Sequence, residues 1–218
     1  IILAMVATYT TAQMVAAGKA FSSFLHMSYG AGVVLGAVVT LLYTTVGGFK
    51  AVAYTDLLQG VMMLLGLLLV PITGFAVAGG MEVFAQLQAV SPALLSPWGT
   101  HGATVAGLVA VASFVAIGLP FLGVPQLMVR YIAIRDAAEV RQARAISVLC
   151  MLGFGLGAVF TGIVGRVLVP ELADPETILP TLAQLLFPPV ITGLLVVVVL
   201  AAIMSTVDSL LILASSAV

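Results

Sequence analysis

Apolar residues run through this chain in long unbroken stretches, and polar positions fall mainly between them. Six stretches, roughly 1–24, 31–48, 55–78, 103–129, 144–169 and 189–215, have the length that crosses a bilayer as a helix, about 20 residues. A run such as Val61-Met62-Met63-Leu64-Leu65-Gly66-Leu67-Leu68-Leu69-Val70 has no two-residue alternation. A membrane barrel strand needs that alternation, so the pattern predicts helices, which satisfy their own backbone groups in lipid. Between the spans, 81–89 predicts a short amphipathic helix lying on the membrane, and 176–186 a second short helix before Pro188-Pro189. Ser96-Pro97-Trp98-Gly99 predicts a turn, with Trp98 as an interfacial anchor. The expected organisation is a single all-α, polytopic transmembrane domain over 1–218, integral to the cell (inner) membrane.

Composition strengthens this picture. Of 218 residues, 62% are hydrophobic and 7% charged. Soluble domains carry about 25% charged residues, so this chain lacks the polar surface that water requires and lipid is its expected surrounding partner. The net charge of −1 gives no electrostatic basis for binding nucleic acid. Cys150 is the only cysteine, which excludes an internal disulfide and a multi-cysteine metal site; a packing role is expected. Arg130, Arg135, Arg141 and Arg144 cluster between the fourth and fifth spans, which makes that loop cytoplasmic. The turn with Lys50 is then cytoplasmic too, and loops 79–102 and 170–188 fall outside. Lys19 and Arg166, near outer ends of spans, are expected to snorkel to the interface. Ile1 already lies in an apolar run and Val218 has no polar tail, so the chain reads as an internal segment; no signal peptide is visible.

Polar groups within the spans are the candidates for chemistry, because each costs free energy in lipid. In the last span, Ala202, Ser205, Thr206 and Ser209 share a helical face, with Asp208 beside it. Hydroxyls and a freed carbonyl suit a hard cation such as sodium; the same face also suits close helix packing, with hydroxyls bonded back one turn. Asp56 opens the third span after Gly47-Gly48, where it is either a helix-start carboxylate, with Lys50 within reach as a partner, or a polar station on an ion path. Gly118-Leu119-Pro120-Phe121-Leu122-Gly123-Val124-Pro125-Gln126 cannot continue a straight helix. A broken helix near the midplane is a pointer to a transporter's solute site, and it also occurs as a packing kink. Phe121 and Gln126 are the cavity candidates there, joined by Tyr9 and Gln13, which share a face of the first span. His26 and His101 have no neighbouring ligands and read as interfacial. No phosphate-binding glycine loop of the Walker type is present.

Taken in order, Tyr43-Thr44-Thr45-Val46-Gly47-Gly48-Phe49-Lys50-Ala51-Val52 with Thr55-Asp56 and Gln59, then Arg130 with Arg141-Gln142-Ala143-Arg144-Ala145-Ile146-Ser147, then Ala201 to Thr206, resemble the sodium:solute symporter family, its proline branch most closely. The resemblance implies a leucine-transporter type core of ten helices in two inverted halves, of which this segment holds core helices three to eight. It implies a sodium site from the Ala202 carbonyl and the Ser205 and Thr206 hydroxyls, completed by the first core helix. A second sodium, bound in some members, maps to Asp56, Ser205, Asp208 and Ser209, with Asp208 standing where those members have serine. In the proline branch a tyrosine matching Tyr9 contacts substrate, whereas the Trp and Tyr of the broken helix are here Ile117 and Phe121.

The expected function is sodium-coupled symport of a small organic solute, an amino acid or small carboxylate, by alternating access, and not enzymatic catalysis. Three alternatives remain at this point. Asp56 and Asp208 carry protons instead of sodium, form the pair of an intramembrane aspartyl protease, or belong to a non-catalytic subunit of a membrane complex.

Overall fold

A computed structural model of the chain describes residues 1–134 and 136–217, with the side chains of Tyr43, Phe121 and Leu122 outside the description. Arg135, one of the clustered arginines, therefore lies outside the described residues, as does the Phe121 side chain proposed for the cavity. The described elements are all helical. They comprise α1 (Ile2–Leu25), α2 (Tyr29–Val77), α3 (Glu82–Val90), α4 (Val105–Ile117), α5 (Pro125–Ile132), α6 (Ala137–Leu168), α7 (Ile178–Leu186) and α8 (Pro189–Ser216).

Among the described residues, three segments are long and apolar enough to cross a membrane singly: Thr44–Val77, Ala137–Leu168 and Pro189–Ser216. Ile2–Leu25 and Tyr29–Leu42 qualify as a pair bent by 117°. The six expected stretches differ from this set for two local reasons. The second and third belong to one element, α2, interrupted at Gly48 with φ 59° and ψ −170°. That conformation is essentially reserved for glycine. The chain reverses there. Thr44, before Gly48, bonds Asp208 of α8, and Thr40 shares a cavity with Leu200. After Gly48, Val52 lies beside Ile212 and Gly66 faces Val198. The two arms of α2 thus run along α8 in opposite directions.

The fourth expected span is divided as its prolines require. α4 stops at Ile117, a 3₁₀ turn covers Leu119–Gly123, and Pro125 opens α5 at the helix start, where its missing N–H is harmless. The fifth begins earlier than its apolar run, because Asp136 caps α6 through bonds from the Ala138 and Glu139 amides (2.8 and 2.9 Å). At its other end Arg166 donates to the carbonyl of Pro170 (2.7 Å), just past the end of the helix. Both short helices form. α3 buries Val83 and Leu87, and its Phe84 stacks on Phe75, which in turn meets Phe160 edge-on. It therefore packs on the ends of α2 and α6.

The core is a column between α1 and α8, which run antiparallel. Phe24 packs with Val70, Leu182 and Leu195 at one end. Ala17 and Ala20 meet Ile203 and Val207 in the middle. Val6 meets Leu210 and Leu213 at the other end. Lipid is as apolar as leucine, so helices here associate through close contact and not by escaping water. Small residues make that contact possible. A Cβ on Gly157 would stand 2.7 Å from the Leu67 carbonyl oxygen, and one on Gly74 2.3 Å from Val164.

Candidate functional site

The two ends of the column carry different polar clusters, and α8 reaches both. At one end Lys19 of α1 pairs with Asp174 (3.5 Å) and with Glu176 in the turn before α7. Lys19, expected to snorkel to the interface, is thus ion-paired. Beneath this pair opens a cavity of about 370 Å³, lined by Lys19, Glu176, Met63 and Ala202 among others. Ala202 is exposed in it. One turn on, the Thr206 hydroxyl donates to the Ala202 carbonyl (3.1 Å). That back-bond uses the Thr206 proton and one carbonyl lone pair. Within the continuous α8 that carbonyl also accepts the amide N–H of Thr206, so the lone pairs of the Thr206 hydroxyl oxygen are what stay available to a cation, with the carbonyl joining only if its bonds loosen. Half-buried Ser205 adds a third oxygen on the same turn of helix. This donor set is all oxygen and neutral, which fits a monovalent hard cation.

At the other end, Arg130 of α5 pairs with Asp56 of α2 and donates to the Ser209 hydroxyl of α8 (2.5 Å). Asp56 therefore takes Arg130 as its partner; Lys50, the sequence candidate, is exposed. Ser209 in turn donates to the Ser205 carbonyl (2.9 Å). The Asp56 side chain is 8% exposed while Arg130 is 43% exposed, so the guanidinium reaches a buried carboxylate from an open side. The Asp56 Oδ1 and the Gln59 Oε1 are buried and without hydrogen-bond partners among the described residues.

Asp208 is held elsewhere on the α2–α8 interface. It is 0% exposed, and the buried Thr44 hydroxyl donates to its Oδ1 (2.5 Å). The set proposed for a second sodium is thus brought together in part. Asp56 and Ser209 meet through Arg130, while Asp208 is anchored by Thr44. The two carboxylates of the protease alternative are likewise held by different partners.

Of the four cavity candidates, Tyr9 and Gln126 line one cavity of about 620 Å³ between α1, the start of α5 and α8. Ligand sites commonly enclose about 300–1,000 Å³. Apart from these two, Thr8 is the polar residue lining it, and its hydroxyl is tied back to the Ala4 carbonyl (3.0 Å). Gln13 is half-buried on α1 and does not line this cavity. Among the described residues no group of three or more His, Cys, Asp or Glu is placed to hold a metal ion.

Sequence reasoning missed Thr44 and Gln59 as site residues although both stood in quoted motifs, and it read Arg130 only as a topological charge. Thr10, whose hydroxyl is buried without a partner among the described residues, was missed as well. A buried hydroxyl at helical spacing carries no mark of what it will face, so only the packing could reveal these.

The order of these features along one chain is matched in full by a known family: residues 1–218 fit the sodium:solute symporter family. The chain belongs to that family. It is 39% identical over 223 residues to the osmoregulated proline transporter OpuE of Bacillus subtilis, covering 100% of this chain and 44% of that one. The high-affinity proline transporter PutP of Bacillus subtilis is 38% identical over 221 residues, covering 99% and 46%. Sodium/proline symporter 2 of Staphylococcus saprophyticus is 35% identical over 220 residues, covering 99% and 42%. The chain therefore spans less than half the length of these sodium:solute symporter relatives. No solved structure matches it significantly. As a family member with several membrane-crossing helices, it is a multi-pass membrane protein and its kin are transporters, not enzymes.

Proposed function

We propose that the protein to which this chain belongs couples sodium entry to uptake of a small organic solute by alternating access. The observation that carries the reading is the cavity that Tyr9 and Gln126, 117 positions apart, both line beside the Pro120–Pro125 break. Its walls are apolar with few polar groups, which suits a small solute carrying one compact polar end. The relatives named as proline transporters make proline the first solute to test. Ile117 and Phe121 replace the branch's Trp and Tyr, so other amino acids and short carboxylates belong in the same panel. Sodium is assigned to the Ala202 carbonyl and the Ser205 and Thr206 hydroxyls. It is cargo as well as driving force, and its differential affinity for outward- and inward-facing states supplies the coupling. The wider arrangement, core helices three to eight of an inverted-repeat fold, is part of the same proposal.

The test is uptake by the full-length parent in proteoliposomes, with and without an inward sodium gradient. Ser205→Ala and Thr206→Ala each raise the sodium concentration for half-maximal uptake. Unchanged sodium dependence in both refutes the assignment. The fully buried Asp208 favours one second reading, proton coupling in the same fold. Uptake driven by a pH gradient in sodium-free medium would select it.

A further inference from the structure

Gly162, Gly165, Arg166 and Val169 follow one another at helical spacings of three and four, so they share one side of the end of α6. With Leu172 and Ile178 they line a cavity of about 240 Å³. Glycine makes this space. A Cβ at Gly165 would stand 2.5 Å from Ile178, and one at Gly162 would meet no atom within 4 Å, so the cavity is open beside Gly162.

Arg166 is the charged member of this lining. It is exposed, and one guanidinium nitrogen donates to the Pro170 carbonyl (2.7 Å). No carboxylate pairs with it among the described residues. Its other N–H donors and its charge are therefore open to an acceptor of opposite sign. Depth in the membrane fixes which acceptor that is. Arg144 and Arg166 are 22 positions apart on α6 with no charged residue between them, about 33 Å at the helical rise. The hydrocarbon layer is about 30 Å thick. With Arg144 at the cytoplasmic boundary, Arg166 lies at the level of the opposite head groups. The acceptor supplied there by the bilayer is a lipid phosphate, which a guanidinium holds through paired N–H bonds.

The neighbouring carboxylates select the head group. Of the three in the loop after α6, Asp174 and Glu176 are taken by Lys19. Glu171 is exposed and pairs with nothing among the described residues. It stands in the chain between Pro170, which holds Arg166, and Leu172, which lines the cavity. A cation and a carboxylate beside one apolar groove complement a head group that carries both a phosphate and an ammonium, and disfavour one with net negative charge.

We infer that this cavity binds a zwitterionic aminophospholipid of the outer leaflet. Arg166 takes the phosphate, Glu171 takes the ammonium, and the upper part of one acyl chain fills the groove left by Gly162 and Gly165. The lipid joins α6 to the loop that Lys19 ties to α1.

The test is native mass spectrometry of the purified full-length parent, delipidated in detergent and titrated with phosphatidylethanolamine, phosphatidylcholine and phosphatidylglycerol of identical chains. The parent binds one phosphatidylethanolamine more tightly than either other lipid. Arg166→Gln weakens phosphatidylethanolamine and phosphatidylcholine alike by about tenfold, the loss of a charge-assisted contact. Glu171→Gln removes the preference for phosphatidylethanolamine over phosphatidylcholine, whose methylated nitrogen has no N–H to donate. Gly162→Leu fills the groove and abolishes the tight component without lowering the melting temperature of the lipid-free protein, because Gly162 faces no protein atom. Parent-like lipid binding in both Arg166→Gln and Gly162→Leu overturns the proposal, and so does a parent that prefers phosphatidylglycerol. Displacement of the lipid by an equal concentration of inorganic phosphate marks a free-anion site and overturns it too. If Arg166→Gln does not purify folded, tight phosphatidylethanolamine binding retained in Gly162→Leu overturns it alone.

Discussion

Replacing Thr44 by valine keeps the shape of the side chain and removes one proton donor. Thr44 is 6% exposed and Asp208 0% exposed, so water does not replace the lost bond without local opening. A hydrogen bond to a charged group contributes about 1.5–3 kcal/mol. Valine also no longer has a hydroxyl to desolvate, which pulls the net value toward the lower end. The expected loss for Thr44→Val is therefore about 1.5–2 kcal/mol. Serine keeps the donor but loses a methyl group, worth about 1 kcal/mol, so Thr44→Ser should fall between wild type and valine. A double-mutant cycle with Asp208→Leu isolates the pair, since leucine is close to aspartate in shape and, unlike asparagine, keeps no acceptor oxygen for Thr44. The assay is thermal unfolding of the purified full-length parent in detergent, followed by loss of the folded monomer. Wild-type stability in Thr44→Val, or a coupling energy near zero in the cycle, would refute the reasoning.

Other outcomes follow from backbone geometry and topology. Gly157→Ala places a Cβ 2.7 Å from the Leu67 carbonyl oxygen, and the overpacking should cost about 1–3 kcal/mol and lower the melting temperature. Gly155→Ala meets nothing within 4 Å, and should be neutral or stabilising by about 0.5–1 kcal/mol, the helix-interior preference for alanine. Gly48→Ala forces a side chain into a conformation costing about 1–3 kcal/mol, so expression and melting temperature should both fall. In a background with Cys150→Ala, a cysteine at Ser96 should react with an impermeant maleimide on intact cells, and one at Ala138 only after permeabilisation.

Much of the architecture was readable because lipid enforces simple rules. Apolar runs gave the long helices, Gly47-Gly48 gave a reversal, and the Pro120–Pro125 segment gave a break where the structure has a 3₁₀ turn. The start of α6 was misplaced because hydropathy marks where a helix enters lipid, whereas Asp136 marks where it begins. The pairings were a different matter. Asp56 and Arg130 are separated by 74 positions, and Thr44 and Asp208 by 164. Helical periodicity places each residue on a face but does not say which face of which helix it will meet. Lys50 was the near neighbour for Asp56 in sequence, and the tertiary partner won because α5 folds back beside α2 and α8.

The glycines between α2 and α6 have a mechanical consequence. Leu64 and Leu67 of α2 sit in notches left by Gly153 and Gly157 of α6, and Val164 of α6 sits in the notch left by Gly74 of α2. Teeth from each helix enter gaps in the other, as in a rack meshed with its mate. Such a joint resists sliding along its length, because any axial step drives a branched side chain into a main chain. The pair is thereby keyed into one stiff strut, so that α2 and α6 move as a unit in any rearrangement the proposed function requires.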